Sequence, residues 1–193
     1  MNLLSNQEQY LKVVTYLGEK NQKHGYEWNT SLLKPMPGDL FINKKIGTSG
    51  NINLLDGESN NVRGVTNFDK NTLNEGRIFV MDGVSFAYSF EDPTTHVASV
   101  NYGTSNLPAE LRFANLVVKQ NNEVLVKLPI NSIVNSYENG VKYKDLGAFA
   151  LVLPKHAIEV DIEFPSGVGV KPPADKELFV SVFFRGFETY QKR

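Results

Sequence analysis

The chain has 193 residues, room for one sandwich-sized domain with an appended segment or for two small units. Its net charge of −1 supplies no basic excess to neutralise phosphates, which argues against direct reading of DNA or RNA. Cysteine is absent, so disulfides, thiolate metal sites and thiol nucleophiles are excluded.

The N-terminal MNLLSNQEQYLK carries no cationic stretch ahead of an apolar one, so no secretory signal is expected there. No apolar run approaches the roughly 18 residues of a membrane-spanning helix. Residues 4–18 form the first expected element, an amphipathic helix. Ser5 and Glu8 have the spacing of a capping box, Tyr10, Leu11, Val14 and Leu17 make an apolar stripe, and Gly18 is the expected stop. Such a helix is marginal alone in water, so its stripe needs a partner, in its own domain or on a neighbouring subunit.

Residues 19–76 are rich in Gly, Pro, Asn and Ser, with apolar pieces only at Leu40-Phe41-Ile42 and at Ile52 with Leu54-Leu55. A structureless stretch of this length is unusual inside a compact domain. The expected organisation is therefore a helix and loop-rich arm over residues 1–74, followed by a β-sandwich domain over 75–193.

Strand signals dominate from residue 77 onward. Residues 157–164 alternate strictly, with Ile158, Val160, Ile162 and Phe164 on one face and Glu159, Asp161 and Glu163 on the other. Arg77–Phe90 alternates through Val84, Phe86, Tyr88 and Phe90, with a bulge or bend expected at Gly83. Leu111–Gln120 and Glu123–Ile130 flank Asn121-Asn122, a pair suited to the positive φ of a tight hairpin. Gly147–Leu153 is a short buried run, and Leu178–Phe184 is apolar on both faces, with Phe179 and Phe183 opposing Val180, Val182 and Phe184. Six or seven strands without an intervening helical period imply a mainly β fold, an antiparallel sandwich or barrel.

The search for chemistry returns little. His24, His96 and His156 are scattered and make no H-x-H or H-E-x-x-H pattern, so no metal or cofactor is expected. Asp92 and His96 share a loop that is best taken as a solvated turn. Ser85 lies in a partial G-x-S-x-G, but inside an alternating strand and not at the strand-to-helix elbow a nucleophile needs. Glu159, Asp161 and Glu163 stand about 6–7 Å apart along a strand, too far to share one ion unaided. The run from Pro165 to Pro173 has glycines but no following helix, so it is a loop suited to surface contact and not a phosphate cradle. No catalytic residue is assigned and no enzyme is expected.

An arm followed by a sandwich of this size, with Arg77-Ile78-Phe79-Val80, Leu107-Pro108-Ala109-Glu110-Leu111, Val124-Leu125-Val126-Lys127-Leu128 and a closing Leu178-Phe179-Val180-Ser181-Val182-Phe183-Phe184, resembles single jelly-roll capsid and virion proteins, bacteriophage ones in particular. The resemblance covers about residues 75–190 and carries over no binding residue. It implies a structural subunit, homo-oligomeric, that is made in a host cytoplasm, resides in the virion and partners itself and other virion proteins. Tyr10, Leu11, Val14, Leu17, Phe179 and Phe183 are the candidate assembly contacts. The alternative is a carbohydrate- or receptor-binding sandwich with Tyr102, Tyr137 or Tyr143 stacking on a sugar. One feature departs from the resemblance: successive jelly-roll strands cross between sheets, whereas an Asn121-Asn122 hairpin keeps two strands in one.

Overall fold

The computed structural model describes residues 3–26, 28–55, 61–138 and 140–190. It is mainly β, two antiparallel four-stranded sheets with a helix on one of them. The strands are β1 (Met36–Ile46), β2 (Asn51–Asn53), β3 (Arg77–Glu91), β4 (Asn115–Gln120), β5 (Glu123–Pro129), β6 (Lys144–Val152), β7 (Ile158–Glu163) and β8 (Glu177–Tyr190). One sheet has the order β1-β8-β3-β6 and the other β2-β7-β4-β5.

This order is a single long hairpin rolled up. First and last strands pair, β1 with β8, then β2 with β7, β3 with β6 and β4 with β5. Rolling adds the contacts of β8 to β3 and of β7 to β4, which gives a jelly-roll-like sandwich. Every connection crosses between the sheets except the one at the hairpin's tip. There Asn121 and Asn122 take φ of 54° and 61°, as a tight two-residue turn requires. The expected hairpin is thus present, and it does not depart from a rolled topology: the tip of the ribbon is the one place where consecutive strands must stay together.

The two sheets enclose the main core. Leu40 and Ile42 of β1, Val84 and Phe86 of β3, Leu116 and Val118 of β4, Ile158, Val160 and Ile162 of β7, and Val180, Val182 and Phe184 of β8 are all buried in it. The strict alternation of residues 158–164 places its apolar face inward as expected. The bulge expected at Gly83 falls one residue earlier. Asp82 is the extra residue, and it flips the inward positions from Phe79 and Met81 to Val84 and Phe86.

Helix α1 (Leu3–His24) is longer than expected and turned differently. It passes through Gly18 and ends before Gly25, whose φ of 62° and amide bond to the Asn21 carbonyl make the cap. Ser5 stands within the first turn, and its side chain lies outside the described residues. Glu8 pairs with Lys12, 2.7 Å away. The buried stripe is Val13 and Leu17, with Tyr16 beside them, laid on Ile78, Val80 and Leu151 on the outer face of the β1-β8-β3-β6 sheet. Tyr10 and Leu11 remain exposed, at 40% and 62%.

The loop-rich arm is a further correction. Residues 36–46 are the edge strand β1, paired with β8 from Met36↔Glu188 to Ile46↔Leu178. The expected boundary at 74/75 therefore separates strands of one hydrogen-bonded sheet. The signal is present as Leu40, Ile42 and Ile46 at even spacing, masked by Pro37, Gly38 and the two lysines. The free side of β1 is closed by side chains: Asn67 accepts from the Phe41 amide and donates to the Asp39 carbonyl, and Thr66 donates to the Phe41 carbonyl. The strand expected over 111–120 begins only at Asn115, after the single turn α2 (Ala109–Arg112), and α3 (Ile130–Glu138) stands where the sequence suggests no helix. Ile130, Ile133 and Val134 of α3 fill the main core at one end.

The rotated stripe makes a direct prediction. Leu17→Ala is expected to cost about 3 kcal/mol, which lowers the melting temperature by about 6–12 °C, while Leu11→Ala stays within about 0.5 kcal/mol of wild type. Thermal unfolding of the two variants checks it, and equal losses would contradict the packing described.

Candidate functional site

The most chemically dense surface crosses the outer face of the β1-β8-β3-β6 sheet. Register puts Asp39, Arg185, Gly83 and Asp145 in one transverse row, one residue from each strand. Gly83 explains how the row closes. A side chain there would begin 3.0 Å from the Arg185 guanidinium, so glycine lets the arginine lean across β3 without being pushed aside. Arg185 Nε donates to Asp82 Oδ1 at 2.7 Å, and its terminal nitrogen donates to Asp145 Oδ1 at 2.6 Å. Gln9 of α1 donates to the other Asp82 oxygen at 2.9 Å, which ties the front of the helix to the bulge.

Tyr143 spans the row. Its hydroxyl donates to Asp39 Oδ2 at 3.1 Å, and its ring carries the guanidinium of Arg185 and the ammonium of Lys142, each 5.4 Å from the centroid. Burial first, then the nearby Asp39 carboxylate, pushes the Tyr143 hydroxyl up to about 12. Gly186, next to Arg185, lies against the Val80 carbonyl and the Phe79 ring with no space for a side chain. Gly83 thus leaves room for the guanidinium that Asp82 and Asp145 hold.

β6 departs from β3 at this row. The register moves from Met81↔Ala150 to Gly83↔Asp145, so residues 146–149 face only Asp82. Gly147 and Ala148 are exposed, and the Phe149 carbonyl accepts from the Tyr16 hydroxyl. A groove of about 850 Å³ opens between this excursion and the front half of α1. Phe149, Phe187 and Pro37 supply apolar walls, and Asp82, Asp145 and Arg185 supply charge.

The expected site residues are distributed otherwise. Leu17 is buried under α1, and Phe179 is buried within the chain, so neither presents a contact surface. Val14 is half-buried, and Phe183 is half-buried with its ring stacked on Phe41 at 5.4 Å. Tyr10 and Leu11 are exposed. Tyr102 donates to the Val97 carbonyl, and burial lifts its hydroxyl to about 12. The Tyr137 side chain lies outside the described residues. Of the two described tyrosines expected to stack on a sugar, Tyr143 borders this row and Tyr102 does not.

The remaining candidates have local explanations. His96 Nδ1 accepts from the Ala98 amide and starts a 3-10 turn, while Asp92 accepts from the hydroxyl and amide of Thr94, which hold its carboxyl below the usual range. His24 stacks on Tyr26. The His156 carbonyl accepts from the buried Gln120. Ser85 stands mid-strand opposite Phe183. Lys119 reaches Asp161 and Glu163 at 3.2 and 3.9 Å and Lys127 reaches Glu163 at 3.0 Å, so two of the acids on β7 belong to a cross-strand ladder. Among the described residues no three His, Asp or Glu converge as a metal site.

Sequence reasoning alone does not find Arg185, Asp82, Asp145 and Gln9. The available signal is a glycine beside a charged residue inside two strand patterns, Asp82-Gly83 and Arg185-Gly186. Comparison with known protein families, with curated proteins and with solved structures gives no match.

Two outcomes are expected. Arg185→Met strands the largely buried Asp82 carboxylate and is expected to cost about 1–3 kcal/mol, whereas Asp145→Asn, at a side chain 73% exposed, changes stability by less than about 0.5 kcal/mol. Chemical denaturation of both variants measures the difference. Tyr16, Tyr102 and Tyr143 each hold their proton to about 12, against 10.0 in an unfolded chain. The folded state binds these protons more tightly, so the stability they contribute is complete below pH 10 and is lost as pH rises toward 12. Melting temperature should fall over that window, and absorbance at the phenolate band should show at least three late-titrating tyrosines.

Proposed function

We propose that the chain is a virion structural protein, a capsid, vertex or decoration subunit that acts by packing against other copies of itself and other virion proteins. It is made in the host cytoplasm, performs no catalysis and reads no nucleic acid directly. The observation that supports this reading most is the rolled-hairpin sandwich, an architecture used by many shell-forming subunits. Its two sheets make a rigid block, and the sheet edge at β1 is closed by side chains, so contacts fall to loops, helix surface and groove. The exposed Leu11, Phe113 and Val124 offer apolar area to such contacts, worth about 25 cal/mol per Å² before the cost of association.

Carbohydrate or receptor binding is the second reading. It is less supported, because the hydroxyls of Tyr102 and Tyr143 are committed to Val97 and Asp39 and the Tyr143 ring already carries two cations.

Mass spectrometry of purified particles from the source is the test. The chain is expected at a fixed ratio to the major shell protein and to survive a high-salt wash. Its absence from washed particles would overturn the proposal.

A further inference from the structure

We infer that the groove beneath the front of α1 receives the β7–β8 loop of a second copy of this chain, with Lys171 seated on Asp145. The inference rests on the assembly reading above and deepens it by naming the partner and the contact.

Charge comes first. Asp82 and Asp145 share one guanidinium, that of Arg185, and with Asp39 and Lys142 at Tyr143 counted as well the row holds three carboxylates against two cations, one negative charge in excess. Lys12, at the groove's rim, is paired with Glu8 at 2.7 Å and does not cancel it. Asp145 is 73% exposed and takes only the end of Arg185, so it can accept a second cation. The groove therefore calls for a segment bearing one positive charge.

Shape comes second. The groove is walled by Phe149, Phe187 and Pro37, and aromatic-lined grooves take up proline-rich extended segments. Lys171-Pro172-Pro173 is such a segment. The two prolines fix their own φ, and the first biases Lys171 to an extended backbone. Lys171 is exposed and makes no ion pair among the described residues. The base of the loop is pinned: the Val170 amide donates to the Thr48 carbonyl at 2.7 Å, and Gly169 packs so closely on Ser49 and Thr48 that no side chain fits. The residues just before Lys171 are thus held in place before binding, which lowers the entropy lost on docking.

Position makes the contact intermolecular. The loop enters β8 at Glu177, and Arg185 lies eight residues along the same strand, about 26 Å away. Loop and groove stand at opposite ends of one strand and cannot meet within a chain. A loop of one copy in the groove of the next is a head-to-tail contact, which propagates into rings or open chains.

The test is sedimentation velocity on the full chain over a concentration series, with Lys171→Glu, Asp145→Lys and the double variant, each checked by melting temperature. Each single change is expected to raise the dissociation constant of self-association about tenfold or more, because it sets like charges together. The double variant is expected to recover wild-type association. An equimolar mixture of the two single variants should also associate, since the loop of a Lys171→Glu copy meets the groove of an Asp145→Lys copy with opposite charge. Lys171→Glu lies outside the groove and the core, so it alone decides the matter if Asp145→Lys loses stability. Self-association that Lys171→Glu leaves unchanged overturns the inference, as does a wild-type monomer throughout the series. A Lys171→Glu chain that still associates leaves the assembly reading whole; a wild-type monomer removes its self-packing but not its contacts with other virion proteins, which fall only if the chain is missing from washed particles.

Discussion

The pairing of β8 with β1 on one side and β3 on the other is the interaction on which the molecule depends. β8 carries Leu178, Val180, Val182 and Phe184 into the space between the sheets and Phe179 and Phe187 onto the outer face. From Leu178 to Val182 every residue is buried whichever face it is on, and four of those five are apolar. Because β1 is joined to it along its whole length, the N-terminal third of the chain cannot come away without opening the sheet.

The outer face of that sheet is divided by the row of Asp39, Arg185, Gly83 and Asp145. On one side α1 covers Ile78, Val80 and Leu151 with Val13 and Leu17. On the other, Phe41 and Phe183 stack. The row needs three irregularities at once: the extra residue Asp82, the missing side chain of Gly83 and the excursion of β6 over residues 146–149. Irregular pairing of this kind costs ladder hydrogen bonds and is kept where it re-aims a side chain. Here it aims Arg185 at two carboxylates and opens the groove beneath α1.

Local chemistry accounts for what is legible without the structure. The alternation of residues 158–164, the hairpin at Asn121-Asn122 and the apolar run of 178–184 each depend on near neighbours, through side-chain direction and backbone φ, and each is found where expected. The misses share another cause. Gly18 has the look of a helix stop, yet the helix continues: an interior glycine costs only about 1 kcal/mol, and the added turns carry Asn21, whose side chain bonds both the amide and the carbonyl of Trp28. Residues 36–46 look like an arm because the partner that makes them a strand lies at the far end of the sequence. The expected helix stripe is a step out of phase, since two overlapping apolar stripes run along residues 10–17 and only the sheet beneath selects one.

By itself, then, the sequence determined a mainly β chain without thiol chemistry or a basic face, with several strands and one tight hairpin, because composition and period-two alternation report on residues close to one another. The tertiary structure alone decided the strand order, the membership of β1 in the sheet, the face that α1 buries and the charged row. Those features join residues separated by about a hundred positions, as Arg185 is from Asp82, and contact at such separation is set by how the ribbon rolls, which no local pattern encodes.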